Sequence, residues 1–109
     1  MSSDMLKKCC DDINRYSTAD EGLVASMLKT YQLVMSNNDA SSVACSDSAE
    51  LETIKKNFLQ KKLGLSKSDS EMDALIADVC EKMKADRRKS RLTFYYLLVE
   101  ATSSQGVFA

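Results

Sequence analysis

A single all-α domain of about five helices is the fold this sequence predicts, on three observations. The chain has 109 residues, the length of one average domain with one core. It contains no proline and only 3 glycines, so little interrupts helical hydrogen bonding. Every strongly patterned stretch repeats its apolar residues at spacings of three and four, the helical period. Hydrophobic residues at 44% against charged residues at 28% are the balance of a folded domain and not of a disordered tail.

The first helix is expected over Asp4 to Tyr16, with Met5, Leu6, Cys9, Ile13 and Tyr16 on one face. The second is expected to start from Thr18, whose hydroxyl caps the helix while Glu21, three residues on, closes a capping box. Leu23, Val24, Met27, Leu28, Tyr31 and Val34 form its buried stripe. From Ser36 to Ser46 the sequence is too polar and aperiodic for a full helix and reads as a connection with at most one helical turn. Asp47 and Glu50 repeat the cap-and-box signature for a third helix carrying Leu51, Ile54, Phe58, Leu59 and Leu63, which Gly64 stops. Ser68 and Glu71 open a fourth, with Met72, Leu75, Ile76, Val79, Cys80 and Met83 on its apolar arc. In both of these helices acids lead and lysines trail, as the helix dipole favours.

The last helix, Leu92 to Ala101, is apolar or aromatic on every side, and a helix of that kind is buried. It is expected to run through the centre of the others; alternatively its spare apolar side closes a homodimer. A core strand would need a partner strand, and the sequence offers none.

Composition removes several functions. With no histidine, the commonest general acid or base, the commonest metal ligand and the imidazole triads are all missing. Gly22, Gly64 and Gly106 stand alone, so no phosphate-cradling loop is spelled. The expectation is a protein that is not an enzyme and carries no metal or cofactor. No stretch of apolar residues is long enough for a signal or a membrane span, so the protein is expected to be soluble, cytoplasmic and free of membrane contact. In that reducing compartment Cys9, Cys10, Cys45 and Cys80 read as thiols. Cys9 and Cys80 serve as small hydrophobes on helix faces, and Cys10 and Cys45 lie beside acidic or small polar residues that do not activate a nucleophile.

Net charge is −1, but its distribution is uneven. Residues 1–54 hold four basic and nine acidic side chains, and residues 55–109 hold eleven and seven. The complementary halves can pair with each other. Two features break local rules. Lys55 and Lys62 fall inside the apolar arc of the third helix, either as snorkelling stems or as recessed anion-binding ammonium groups. The run Asp86-Arg87-Arg88-Lys89-Ser90-Arg91 sets four cations at a helix start, where the dipole favours anions. They serve either internal pairing or an external anion, nucleic acid or protein partner, because guanidinium groups bind planar anions in bidentate fashion. Arg87, Arg88, Lys89, Arg91 and Lys62 are therefore the candidate anion- or partner-binding residues.

Two motifs carry a resemblance. The stretch Glu50-Leu51-Glu52-Thr53-Ile54-Lys55-Lys56-Asn57-Phe58-Leu59-Gln60-Lys61-Lys62-Leu63-Gly64-Leu65 and the later run from Lys82 through Arg91 to Tyr95-Tyr96-Leu97-Leu98 resemble a bacterial family of small proteins known only as a domain of unknown function. The resemblance covers roughly residues 38–100, and the first 37 residues match only in helical character. It implies a small all-helical domain of bacterial origin and brings no activity, substrate or cofactor. The function expected is a non-enzymatic cytoplasmic interaction module whose basic cluster contacts an acidic protein partner. The alternative is a nucleic-acid-binding accessory protein.

Overall fold

A computed structural model describes residues 3–37 and 40–108. The elements run α1 (Ser3–Ile13), α2 (Glu21–Thr30), α3 (Gln32–Met35), β1 (Ser42–Val43), α4 (Ser48–Thr53), α5 (Asp69–Lys82), β2 (Lys89–Ser90) and α6 (Arg91–Ala101), with a closing 3₁₀ turn at Gln105–Phe108. The fold is mostly helical, as the composition and periodicity predict.

The sequence places α6 at the centre, and it is there. Leu92 through Val99 are all buried, and Leu92, Phe94, Leu98 and Val99 have no exposed surface. One core cluster surrounds them, drawing Ile13 from α1, Val24, Met27 and Leu28 from α2, and Met72, Ile76 and Val79 from α5. The spare apolar side that raised the possibility of a homodimer is covered within the chain. Polar groups on the helix are satisfied as they are buried. The Tyr96 hydroxyl accepts from Asp20 N at 2.9 Å and donates to the Thr18 carbonyl at 3.2 Å, docking the turn before α2.

Several local expectations need correction. The cap of α2 is Asp20, which accepts from Leu23 N at 3.2 Å; Thr18 stands two residues too early, its carbonyl already taken by Tyr96. The first helix ends at Ile13 and not at Tyr16, because Tyr16 turns away to bond Asp86. The second helix breaks at Tyr31 and resumes as the single turn α3, so the described residues hold six α-helices in place of five. Strands do exist: Ser42 pairs with Ser90 and Val43 with Lys89 in a two-residue antiparallel ribbon. No period-2 pattern announces so short a pairing, because it depends on two segments 48 residues apart meeting at one register. In the Ser36–Ser46 connection, Asn38 and Asp39 lie outside the described residues.

Asp47 and Ser68 cap α4 and α5 as expected: Asp47 accepts from Ala49 N at 3.0 Å, and Ser68 accepts from Glu71 N at 3.2 Å. Beyond Thr53, however, α4 widens into a π-helical run over Ile54–Lys62. Its buried residues, Ile54, Lys55, Phe58 and Leu59, are spaced to suit this wider winding, which brings Lys55 onto the core side beside them. The run ends at Leu63, whose N–H donates to the Phe58 carbonyl at 2.9 Å. Gly64 follows at φ +65°, in the left-handed region, and lets Leu65 N–H reach back to the Leu59 carbonyl at 3.1 Å.

The cysteines also depart from expectation. Cys45 and Cys80 are joined in a disulfide with Cα atoms 6.0 Å apart, so Cys80 is not a packed free thiol. The bond ties the segment between β1 and α4 to α5. Neither cysteine's neighbours signal this, since the pair is 35 residues apart in sequence. Cys9 is buried and free, and burial pushes its thiol up to about 11, with Cys10 and Asp12 adding to the shift. Cys10, half-buried and free, is raised in the same direction, first by burial and then by Glu21 and Asp11.

These states predict a thiol count. Without reductant, an alkylating reagent at pH 8 should label Cys10 slowly, Cys9 only on unfolding, and Cys45 and Cys80 not at all. Adding reductant in denaturant should raise the total from two to four by intact mass, and reducing the native protein should lower its stability by about 2–4 kcal/mol. Four labels without reductant would refute the disulfide. Because Cys9 keeps its proton in the fold above the ordinary 9.0, its contribution to stability is full below pH 9 and is lost as pH rises from 9 towards 11.

Candidate functional site

The basic segment between α5 and α6 is extended, not helical, over Lys89 and Ser90. Arg87 and Arg88 lie in the bend before it, and Arg91 opens α6 after it. Arg88 and Ser90 line one surface cleft, and Arg87 and Arg91 line another. The four cations therefore do not form one patch.

Arg91 faces inward. As the first residue of α6, with its side chain 13% exposed, it donates through Nε to the Ala40 carbonyl at 2.6 Å and through Nη1 to the Tyr95 hydroxyl at 2.9 Å. Its Nη2 donates to the Ser42 carbonyl at 3.2 Å and pairs with Glu50. One guanidinium thus joins the connection before β1, β1 itself, α4 and α6. This is internal pairing with the acidic N-terminal half, and it explains a cation at a helix start against the dipole: the carboxylate and carbonyls around it outweigh that local cost. Lys89 is also occupied internally, its ammonium donating to the Asp86 carbonyl at 2.9 Å.

Asp86 anchors the start of the segment. Arg15 Nη2 reaches its carboxylate at 2.7 Å, and the Tyr16 hydroxyl donates to it. The Asp86 bond holds the Arg15 guanidinium above its ordinary range, and Asp12 assists. Asp12 in turn takes the Thr93 hydroxyl from α6. This chain of carboxylates and donors fixes α1 to both ends of the basic segment.

The other two cations of the segment are exposed. Arg87 is exposed and makes no ion pair among the described residues. Arg88 is exposed at the rim of the other cleft, which α1 walls with Met5, Lys8, Cys9 and Asp12, and which Met35, Ser41, Ser42 and Ser90 complete.

The lysines of the third predicted helix divide as well. Lys55 is 6% exposed, and its ammonium lies 3.1 Å from Glu52, 3.1 Å from Asp73 and 3.9 Å from Asp69. Hydrogen bonds to Glu52 and then Asp73 raise its pKa, and with three carboxylates around it the group is not an anion receptor. Lys62 is exposed and sits apart from the arginines, its ammonium 5.1 Å from the centre of the Phe108 ring. Sequence reasoning missed Lys8, Ser41, Ser42 and Ser90, because these residues meet only where α1 crosses the β ribbon. Their one signal is the pair Lys7-Lys8 beside the apolar positions Met5 and Cys9.

Around these clefts the described residues contain no group of three or more metal-ligating side chains, and no described helix is long and apolar enough to cross a membrane. The class is a mostly helical domain with one core, in which a short β ribbon borders two clefts that carry basic side chains. The chain belongs to the DUF2853 family, described as proteins of unknown function, which it matches over residues 8–105. The match takes in α1 from Lys8 onward, so it extends well N-terminal of the two motifs. No curated protein matches the chain.

Proposed function

We propose that this protein is a non-catalytic binding module that holds an acidic protein partner through Arg87 and Arg88. The carrying observation is Arg87: an exposed guanidinium without an ion pair among the described residues, on a segment that Asp86, Lys89 and Arg91 pin down on either side. A cation held on a rigid segment loses little freedom when it meets a carboxylate, which favours binding. The lack of histidine and of a phosphate loop in the sequence supports a binding role over catalysis. Phe94, Tyr95 and Tyr96, the aromatic run that follows the segment on α6, are buried in the core, and this argues against their serving as a base-stacking surface for nucleic acid.

The test is co-purification from a cell lysate of bacterial origin, the source the motifs suggest, with wild type beside Arg87→Ala/Arg88→Ala. The double variant is expected to lose a specific acidic partner while its stability changes by less than about 1 kcal/mol, as for exposed charges. Arg91 must stay intact, since its removal would confound binding with unfolding. Retention of the same partner by the variant would refute the proposal. Tight binding to DNA or RNA that weakens steeply with salt would replace it with the nucleic-acid reading.

A further inference from the structure

We propose that the Cys45–Cys80 disulfide is a redox latch on one wall of the Arg87 cleft, and that a dithiol reductant frees this wall while the domain stays folded. The consequence for partner binding rests on the acidic-partner reading; the latch itself does not.

The segment after β1 has few other anchors. Between Val43 and Ile54 no residue is fully buried, and Ala44, Ser46, Asp47, Ser48 and Ala49 are exposed. Its hydrogen bonds among the described residues are local: Asp47 N–H donates to the Ala44 carbonyl at 3.1 Å, and the Asp47 carboxylate accepts from Ala49 N–H at 3.0 Å. Fixed points stand at either end. Val43 is buried and pairs with Lys89, and Glu50 is clamped by Arg91. Between them the disulfide fastens Cys45 to α5, where Val79 and Met83 are buried on either side of Cys80. When the bond opens, α5 keeps its place in the core and the segment 44–49 gains freedom. Ala44 and Asp47 of this segment line the same cleft as Arg87. A fixed wall costs a bound partner less ordering than a moving one, so the oxidised form is the better binder.

Both cysteines are half-buried, which leaves the bond open to a small thiolate. One thiolate of the dithiol attacks a sulfur, the S–S bond breaks, and the displaced cysteine takes up a proton. The second thiol of the reductant then attacks its own sulfur in the mixed disulfide and releases the other cysteine. The protein gains two electrons and two protons as two thiols, and the dithiol leaves as its cyclic disulfide. Cys9 and Cys10 are poor attackers, because burial raises both thiols and keeps them protonated at neutral pH.

The test compares the isotopically labelled full chain, oxidised and then reduced with dithiothreitol, beside Cys45→Ser/Cys80→Ser as the permanently open form. Backbone order parameters at residues 45–49 are expected to fall from about 0.85 to below about 0.6 on reduction and in the double variant, while those of α6 stay near about 0.85. Unchanged order at 45–49, or loss of order in α6 as well, would overturn the latch. Hexaglutamate is the binding probe, followed through amide shifts. The oxidised chain should bind it about tenfold more tightly than the reduced chain, and Arg87→Ala should bind it in neither state. Equal affinity in both states would overturn redox control of binding. No binding in either state would count against the acidic-partner reading, and the order parameters would still decide the latch.

Discussion

Replacing Arg91 with alanine is expected to destabilise the protein by about 3–5 kcal/mol, the range for removing one partner of a buried ion pair. The change strands the half-buried Glu50 carboxylate and removes the donors to the Ala40 and Ser42 carbonyls and to the Tyr95 hydroxyl. It also releases the connection before β1 from the end of α6, and with it the pairing of β1 and β2. For a domain of this size the melting temperature should fall by roughly 12 °C or more. Arg91→Lys should recover only part of this, because an ammonium keeps the charge but cannot span the four acceptors that the planar fork reaches in different directions. Thermal melts of the three proteins decide the matter, and an Arg91→Ala melting point within about 2 °C of wild type would show that the clamp contributes nothing.

Leu98→Asp should leave no cooperative folded state at all. Leu98 lies on α6 with no exposed surface, inside the cluster that every longer helix helps to build. A carboxylate there must either remain charged without a partner, or take a proton and still leave a polar group in an apolar site. Either course costs several kcal/mol, on top of the packing lost with the leucine, against a total stability of about 5–15 kcal/mol for a typical domain. Leu98→Ala separates the two effects: it should fold, with a loss of about 2–5 kcal/mol from the cavity alone. Far-UV circular dichroism under urea titration measures both. A cooperative transition for Leu98→Asp near the wild-type midpoint would mean that α6 is not the centre of the core.

What the sequence determined by itself is what local chemistry determines. The period of three and four in α5, the caps at Asp47 and Ser68, the stop at Gly64 and the all-round apolar run of α6 each act within a few residues, and each is found where the pattern places it. The run of cations was legible as an anomaly for the same reason, since a dipole is a local quantity.

Its meaning was decided only by the tertiary structure. At the bend before the strand Lys89-Ser90, Arg88 goes to one cleft and Arg87 to the other, while Arg91, one residue past the strand, enters the helix and is clamped by Glu50, 41 residues away. The approach of Asp69 and Asp73 of α5 to Lys55, the disulfide between Cys45 and Cys80, and the meeting of Lys8 with the serines of the ribbon are likewise contacts between distant segments. Side-chain type states what a residue can pair with, but the pairing itself depends on which distant groups the core brings within a few ångströms. Charge and hydrogen bonding act over that short distance, and no spacing along this chain records it.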